Sequence, residues 1–317
     1  MKKKFTVFIA VAIMLSLVFT GCATATPDTT PADKVFKVGI NNFGQANFFA
    51  RTGKASLEDQ ITKDGGEVIA TVNADVPGRV ASIENMISQN VDAIIIQEGD
   101  ITQLEPVLLE AKKKGIIIGS MGAGDAEFVD VFIESNESAM GAEAAKQMVE
   151  AIGGKGKIVE IYNEAGSMIR ARRAAMHEVI STYPDIEIVA GFTYAWPDFF
   201  PDGKSKMEAI LQAYPNPGDI VAVFATFDGV GLAAVQAIRE AGLTDEIIVV
   251  GVDGDPEAYK EMAKPDSPFI ATLAQDPDTM ARTLVDNMFE LLRGNKISER
   301  HIYTPAVLIT KDNIPEE

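Results

Sequence analysis

The sequence predicts an α/β protein built from two doubly wound parallel-sheet lobes, and three patterns support this. Short apolar runs alternate with segments of helical periodicity, such as Met207, Ile210, Leu211 and Tyr214. The runs lack polar alternation, which is typical of strands buried on both faces of a parallel sheet. They also fall into two similar sets, which suggests two lobes. The predicted strands are 35–40, 68–72, 91–96, 116–119, 128–133, 158–162, 186–189, 221–225 and 247–252.

The N-terminus has the pattern of an export signal. Three lysines precede an apolar run from Phe5 to Phe19, and small residues lead to Cys22. The run is shorter than a typical membrane-spanning helix. The stretch Phe19-Thr20-Gly21-Cys22 resembles a bacterial lipoprotein box, although Phe19 stands where the usual pattern has Leu. We therefore expect a signal peptide over 1–21 and a lipidated Cys22, with an uncleaved anchor helix or a core cysteine as alternatives.

A flexible linker is expected over 22–34, because this tract is mostly Thr, Ala and Pro without hydrophobic periodicity. It would let the folded body stand away from a membrane. Whether or not the cysteine carries lipid, the signal places the folded body outside the cytoplasm. The predicted localisation is thus extracytoplasmic and membrane-anchored.

Composition excludes several classes of function. With 46 acidic and 28 basic residues the formal charge is −18, which argues against binding nucleic acid, since phosphate contacts need clustered Lys and Arg. Cys22 is the single cysteine of the chain, so neither a disulfide nor a thiolate metal site is possible within it. His177 and His301 lie far apart in sequence. We expect no metal, no cofactor and no histidine-based catalysis.

Residues directly after the strands are the best candidates for a site, because ligands of doubly wound sheets bind outside the carboxyl ends of strands. Some of these residues also have structural explanations. Asp100 and Gln103 are spaced as a helix capping box, which we favour over ligand contact for Asp100. The segments concerned are 41–49, 97–100, 120–125, 163–173, 226–228 and 253–255.

One segment has the outline of a dinucleotide fingerprint. An apolar strand leads into Gly229, Gly231 and Ala234 at GxGxxA spacing, a helix follows, and Asp253 ends the next strand. On this pattern alone, an enzyme with a nicotinamide cofactor and a binding protein both stay open.

Several longer motifs resemble those of the periplasmic-binding-protein type I family, within it the ribose- and galactose-like sugar-binding lipoproteins of ABC transporters. The resemblance runs from about Val35 to Ile309, and it depends on the order and spacing of motifs that are weak singly. Sugar-responsive repressors share the lobes but begin with a DNA-binding helix-turn-helix, where this chain has an export signal. The motifs are NFFARTGKASLEDQITKDGGEVI, VDAIIIQEGD, IRARRAAMHEVI, MEAILQAYP, AVFATFDGVGLAAVQAIREAGLTDEIIVVGVDGDPEA and ATLAQDPDTMA.

The resemblance implies a sugar pocket and explains the glycines as a means for a helix to start close to the sheet. Sugars need planar polar groups for their hydroxyls and aromatic rings for their apolar faces. Arg170 matches the pocket arginine of the family, but Arg172 and Arg173 leave its register open, and either could bind a carboxylate between helices instead. The implied ligand-binding residues are Phe48, Phe49, Arg170, Trp196, Asp198, Phe227, Asp253 and Gln275, with Asn42, Asn47 and Glu98 as further polar candidates.

Two departures from the family argue against ribose itself. After the fourth strand ribose binders carry an Asp-Arg pair, whereas this chain reads Ser120-Met121-Gly122-Ala123; where they carry Asn before a strand-tip Asp, it has Phe227 before Asp228. A hydroxyl left unpaired in a buried site costs about 1–3 kcal/mol. We therefore expect a deoxysugar, a polyol, or a hexose bound through other groups.

The resemblance implies a monomeric solute-binding protein that closes its lobes around a neutral sugar or polyol and presents the closed form to an ABC permease. A ligand-sensing receptor that docks a sensor kinase or chemoreceptor is the alternative, and a dehydrogenase using Gly229 is the remaining rival. Three crossovers, near Ser135, Gln275 and Arg300, would form the hinge. The expected lobes are 35–135 with 276–300 and 136–275 with 301–317.

Overall fold

The computed structural model describes residues 34–315. The predicted signal over 1–21, Cys22 and the linker up to residue 33 lie outside these residues. Within 34–315, twelve strands form two six-stranded sheets and nine α-helices accompany them, which confirms the predicted fold class. A search of the same residues finds no helix with the length and apolar character needed to cross a membrane.

The first sheet has the strand order β11-β5-β4-β3-β1-β2, and its neighbouring strands are all parallel. Its inner strands are buried on both faces, as the unbroken apolar runs predict. The edge strand β2 contains only exposed and half-buried residues. The strands are β1 Lys37–Asn42, β2 Glu67–Val72, β3 Ala93–Gln97, β4 Ile117–Met121, β5 Val131–Ser135 and β11 His301–Thr304.

The second sheet repeats this arrangement in the order β12-β10-β9-β8-β6-β7. It is parallel except for β12, which pairs antiparallel with β10 at the edge. The strands are β6 Gly156–Tyr162, β7 Ile186–Thr193, β8 Ala222–Ala225, β9 Ile248–Asp253, β10 Phe269–Ala274 and β12 Val307–Thr310.

Helices cover both faces of each sheet, and hydrophobic clusters lie on each face. Polar caps begin several of them: Asn47 caps α1, Asn136 caps α4 and Asp276 caps α9. The helices are α1 Phe48–Lys63, α2 Val76–Ser88, α3 Glu105–Lys113, α4 Glu137–Ala151, α5 Ser167–Ile180, α6 Phe199–Ala213, α7 Asp228–Glu240, α8 Pro256–Met262 and α9 Pro277–Leu292.

The chain passes between the sheets three times. It crosses from β5 to α4, returns from β10 to α9, and crosses again from β11 to β12. We call the part built on the first sheet, with α1–α3 and α9, the first lobe, and the part built on the second sheet, with α4–α8, the second lobe.

The position of the third crossover corrects a prediction. Residues 301–304 pair with Phe132 to Ser135 and belong to the first lobe, so the crossover lies between Thr304 and Val307 rather than near Arg300. The strands β10, β11 and β12 were not among the nine predicted strands. Two of them, β11 and β12, have four residues each and lie at sheet edges, where strands need no long apolar run.

Both sheets reverse their direction of growth next to their first strand, because β1 lies between β2 and β3 and β6 lies between β7 and β8. In doubly wound sheets this reversal opens a crevice at the carboxyl ends of the strands. The topology therefore places residues after β1, β3, β6 and β8 where ligands commonly bind.

The segment with the dinucleotide outline packs against aromatic rings. A Cβ added at Gly229 would lie 2.7 Å from ring atoms of both Phe199 and Phe227, and one at Gly231 would lie 2.9 Å from Phe269. These glycines therefore allow α7 to pack closely on its neighbours. The two glycines at the start of α7 are thus explained by packing against protein rings.

Candidate functional site

A cavity lies between the two lobes at the carboxyl ends of the strands. Residues after β1 and β3 of the first lobe line one wall, and residues after β6, β7 and β8 and at the end of β9 line the other. The lining consists of Phe43, Asn47, Phe49, Glu98, Gly99, Asn163, Ala165, Gly166, Met168, Ile169, Arg172, Tyr194, Trp196, Phe227 and Asp253.

Arg172 is the centre of the second-lobe wall. Its Nε donates to Glu137 Oε2 at 2.6 Å, and its Nη1 donates to Asp253 Oδ1 and to the main-chain oxygen of Thr226, each at 2.9 Å. Its side chain is 1% exposed. Burial alone would lower its pKa, but Glu137 and Asp253 raise it above the usual range, so Arg172 is a fixed cation.

Asp253 ends β9 in a left-handed backbone conformation, with φ of 135°. Its Oδ1 also accepts from Gln275 Nε2 at 2.9 Å. The next two main-chain N–H groups, of Gly254 and Asp255, donate to Asp228 Oδ2 at 2.9 and 2.8 Å and hold this turn. Burial raises the pKa of Asp253, while Arg172 acts in the opposite direction.

Glu98 is the charged group of the first-lobe wall. It follows β3 with φ of 57°, and its Oε1 accepts from Asn47 Nδ2 at 3.0 Å. Asn47 is itself fixed, because its Oδ1 caps α1 at Ala50 N. Burial raises the pKa of Glu98 to about 7, although the bond from Asn47 opposes this. The Glu98 carboxyl can thus change its charge near neutral pH.

Aromatic rings form the apolar surface of the cavity. Trp196 stacks on Phe43 across the lobes, with ring centroids 5.8 Å apart and planes at 25°. Tyr194 and Phe227 pack together at 5.2 Å, and Phe49 is 1% exposed. Such rings suit the C–H faces of a sugar or polyol.

Buried polar atoms without a partner point to a polar ligand. Glu98 Oε2, Arg172 Nη2 and Trp196 Nε1 belong to lining residues, and among the described residues none of these atoms has a hydrogen-bond partner. The Oε1 of Gln275, next to Asp253, is in the same state. Native proteins pair the great majority of such atoms, so their concentration at one cavity marks a binding site for hydrogen-bonding groups.

The two lobes also touch beside the cavity. The main-chain N–H and the hydroxyl of Ser167 both donate to the main-chain oxygen of Gly99, at 3.1 and 3.3 Å. Arg170 Nη2 donates to Asp100 Oδ2 at 2.5 Å. The structure thus represents a form in which the lobes meet around the cavity.

Comparisons with known proteins agree with this geometry. The family model described as "periplasmic binding protein domain" matches residues 38–296. The chain belongs to this family. Its members act outside the cytoplasm as binding proteins of transporters, and the relatives are sugar-binding components of ABC importers rather than enzymes.

Three relatives illustrate the range. The chain is 28% identical over 311 residues to the xylitol-binding protein of Mycolicibacterium smegmatis, covering 96% of this chain and 85% of that protein. It resembles an ABC sugar transporter subunit from Rhodobacter sphaeroides 2.4.1 at 31% identity and a TM-score of 0.82, over 88% and 99% of the chains. It resembles a solute-binding protein of Agrobacterium vitis with bound allitol at 30% identity and a TM-score of 0.83, over 89% and 97%.

Six of the residues predicted for the pocket of this periplasmic binding protein line the cavity. They come from five different loops or strand ends, which the fold brings together. Gln275 lies behind the lining and touches Asp253. The six are Asn47, Phe49, Glu98, Trp196, Phe227 and Asp253.

Four predicted residues lie outside the lining. Phe48 is half-buried, because adjacent residues of a helix point about 100° apart and Phe49 turns inward. Asp198 is exposed at the start of α6. Asn42 is buried within the first lobe, where it donates to Gln97 and accepts from Gly44 N. Arg170 pairs with Asp100, and the lining arginine is Arg172.

Sequence reasoning missed other lining residues. Phe43, Asn163 and Tyr194 are among them, although Phe43 and Asn163 fall in the strand-tip segments 41–49 and 163–173. Asn163 donates to the main-chain oxygen of Tyr194 at 3.1 Å and so holds the loop after β7 against the cavity. In the sequence, only a position directly after a strand indicated these lining residues. Choosing the lining residue within each segment needed the geometry of the loop.

The capping interpretation of Asp100 agrees with its contacts. Its Oδ1 accepts from the N–H and the hydroxyl of Thr102, at 3.0 and 2.6 Å, where a short 3-10 helix starts. It lies outside the cavity lining, and its other oxygen holds Arg170 across the lobes.

Proposed function

We propose that the protein captures a sugar or polyol between its two lobes and delivers it to an ABC-type importer. The observation that carries this is the set of unpartnered buried atoms on both walls: Glu98 Oε2 on the first lobe, and Arg172 Nη2 and Trp196 Nε1 on the second. A ligand that bonds to both walls stabilises the closed form over the open one, which is the requirement for ligand-driven closure.

The chemistry of the walls supports a polyhydroxylated ligand. Carboxylate, guanidinium and amide groups accompany a stacked pair of aromatic rings, which together match hydroxyls and C–H faces. Xylitol and allitol are the ligands named for two of the relatives, and linear polyols are accordingly the first class to test. The relatives favour the transport role over a sensory one.

The lipid anchor and the monomeric state are further parts of this proposal. The stretch Phe19-Thr20-Gly21-Cys22 and the linker composition support a tether at Cys22. In cells with a lipoprotein pathway, the mature protein should gain the mass of a diacylglyceryl group and fractionate with membranes. Cys22→Ser should abolish both, and a wild-type chain without added mass would refute the anchor.

A thermal-shift screen of the purified protein tests the function. The probes are xylitol, allitol, pentoses, deoxysugars, hexoses, their amino-substituted counterparts and nicotinamide cofactors. A ligand at a hundred times its dissociation constant adds about 2.7 kcal/mol, which raises Tm by several degrees.

Two variants make the screen specific. Asp253→Ala should abolish the shift, because Asp253 lines the cavity and holds Arg172. Asp198→Asn serves as the control, since this exposed carboxylate lies outside the cavity, and it should shift like wild type. Absence of a shift with every sugar, polyol and amino-substituted counterpart, or a shift with nicotinamide cofactors alone, would refute the proposed function.

A further inference from the structure

The buried charges around the cavity do not balance. Two arginines, Arg172 and Arg79, lie among four buried carboxylates, Glu98, Asp253, Glu137 and Asp228, so two negative charges are in excess when all are ionised. The Arg170–Asp100 pair outside the lining balances itself. Burying a charge without a counter-charge is costly, so this excess needs an explanation.

The excess charge at the cavity wall belongs to Glu98, because Asp228 lies behind the lining, where the N–H groups of Gly254 and Asp255 and the Thr272 hydroxyl donate to it. On the second lobe, Glu137 and Asp253 bind Arg172 directly, at 2.6 Å and 2.9 Å. Arg79 donates to the main-chain oxygen of Glu98 and to Asn41, and none of its hydrogen bonds goes to a carboxylate. The carboxylate of Glu98 is therefore without an ion-pair partner among the described residues.

The surroundings of Glu98 suit a cationic group. Its side chain is 6% exposed, Oε1 accepts one bond from Asn47, and Oε2 has no partner. Phe43, Phe49 and Trp196 line the same cavity, and aromatic faces attract ammonium groups. Ammonium bound here would supply both the missing donor and the missing charge.

We propose that the ligand carries a protonated amine that binds Glu98, so that the protein selects an amino sugar or amino polyol over its neutral counterpart. This inference rests on the proposed function, whose cavity and hydroxyl-binding groups it keeps. A neutral hydroxyl can also donate to Glu98 Oε2, but it leaves the excess charge in place. A bound ammonium neutralises this charge, and Arg172 Nη2 and Trp196 Nε1 can still donate to the hydroxyls of the ligand.

Calorimetric titration with matched pairs tests the selection. The pairs are xylitol and 1-amino-1-deoxyxylitol, glucose and glucosamine, and galactose and galactosamine. For the pair that fits the cavity, the amine should bind about tenfold to a hundredfold more tightly, the range for a hydrogen bond to a charged group. Glu98→Gln should remove that preference and change the affinity for the neutral partner much less.

Proton release gives a second readout that does not depend on a variant. Burial raises the pKa of Glu98 to about 7 where the lobes meet around the empty cavity, so a bound ammonium should displace its proton at pH 6–7. Asp253, Arg79 and Arg172 act on the same carboxyl, and Asp253 opposes its ionisation while the arginines favour it. The heat of amine binding should therefore vary with the ionisation enthalpy of the buffer, and amine affinity should fall as pH drops below 7.

The outcomes separate the two proposals. Tighter binding of a neutral partner, or equal binding with no proton release, overturns the amine inference and leaves the proposed function intact. Binding of neither member of any pair overturns both. Asp198→Asn, an equivalent carboxylate-to-amide change outside the cavity, should keep the amine preference; its loss there would show that the Glu98→Gln effect is not specific.

Discussion

The two walls of the cavity handle buried charge in opposite ways. On the second lobe, Arg172 is tied to Glu137, Asp253 and a main-chain oxygen, so the charges of this wall are paired before any ligand arrives. On the first lobe, Glu98 has one bond from Asn47 and a free carboxylate oxygen. The comparison suggests that the second lobe is a preformed platform and that the first lobe gains its missing partner only through the ligand.

The largest expected effect is on the second lobe. Replacing Arg172 with Met leaves Glu137 and Asp253 as uncompensated buried charges, and breaking a buried pair in this way costs about 3–5 kcal/mol. Urea unfolding should show the loss in the free energy of unfolding. Arg170→Met, which removes a more exposed ion pair, should cost at most about 1 kcal/mol. Equal losses in the free energy of unfolding of the two variants would contradict the interpretation of the second lobe as a preformed platform.

On the first lobe, removing the buried charge should raise the free energy of unfolding instead of lowering it. Folding raises the pKa of Glu98 from 4.5 to about 7, so the folded state holds its proton more tightly than the unfolded state. The ionised carboxylate therefore lowers the free energy of unfolding fully above pH 7, and this loss is absent at pH 4. Glu98→Gln should therefore stabilise the unliganded protein at pH 8 by about 1–3 kcal/mol and leave it unchanged at pH 4.

Thermal melts of the variant at both pH values measure this difference, with Asp198→Asn as the exposed control. A lower Tm for Glu98→Gln at pH 8 would mean that the carboxylate is already stabilised within the empty cavity. The contrast between the two walls would then be wrong.

The same contrast explains what the sequence could predict. Apolar runs identified nine of the twelve strands and with them the two lobes, because inner parallel strands must be apolar on both faces. Edge strands carry no such requirement, and β11 and β12 were missed; the inner strand β10 was missed as well, and its position in the sheet does not explain that. The strand ends then marked the candidate segments, and the resemblance to the family named Asp253 and Phe227 within them, with Glu98 as a further polar candidate.

The choice between neighbouring side chains needed the structure. Arg170 and Arg172 lie two positions apart on α5, so their side chains point about 200° apart. Both lie within the motif IRARRAAMHEVI, which therefore could not tell them apart. Arg172 turns inward because Glu137, at the first turn of α4, meets it there. That contact links residues 35 positions apart, and periodicity within one helix carries no information about it.

An intermediate effect is expected at Trp196, which belongs to the second lobe but stacks on Phe43 of the first. Trp196→Phe keeps an aromatic ring and removes Nε1, which has no partner in the protein. If the ligand accepts a hydrogen bond from Nε1, its affinity should fall about fivefold to thirtyfold. The Tm of the unliganded protein should change little. Titration calorimetry with the best-binding polyol or amine checks this, and Phe200→Leu is the control outside the cavity.

The smallest effect concerns the contact that joins the lobes beside the cavity. Arg170 and Asp100 touch each other but not the cavity, so Arg170→Ala should weaken the closed form without removing a ligand contact. A partly exposed ion pair contributes up to about 1 kcal/mol, which predicts an affinity loss of at most about fivefold that shrinks at high salt. Asp100→Asn should lose a similar amount, and the double variant should lose no more than either, because both changes remove one interaction. Additive losses would mean that the two residues act separately, with Asp100 acting through its cap on the 3-10 helix. Closure would then depend on the contact between Ser167 and Gly99 and on the ligand itself.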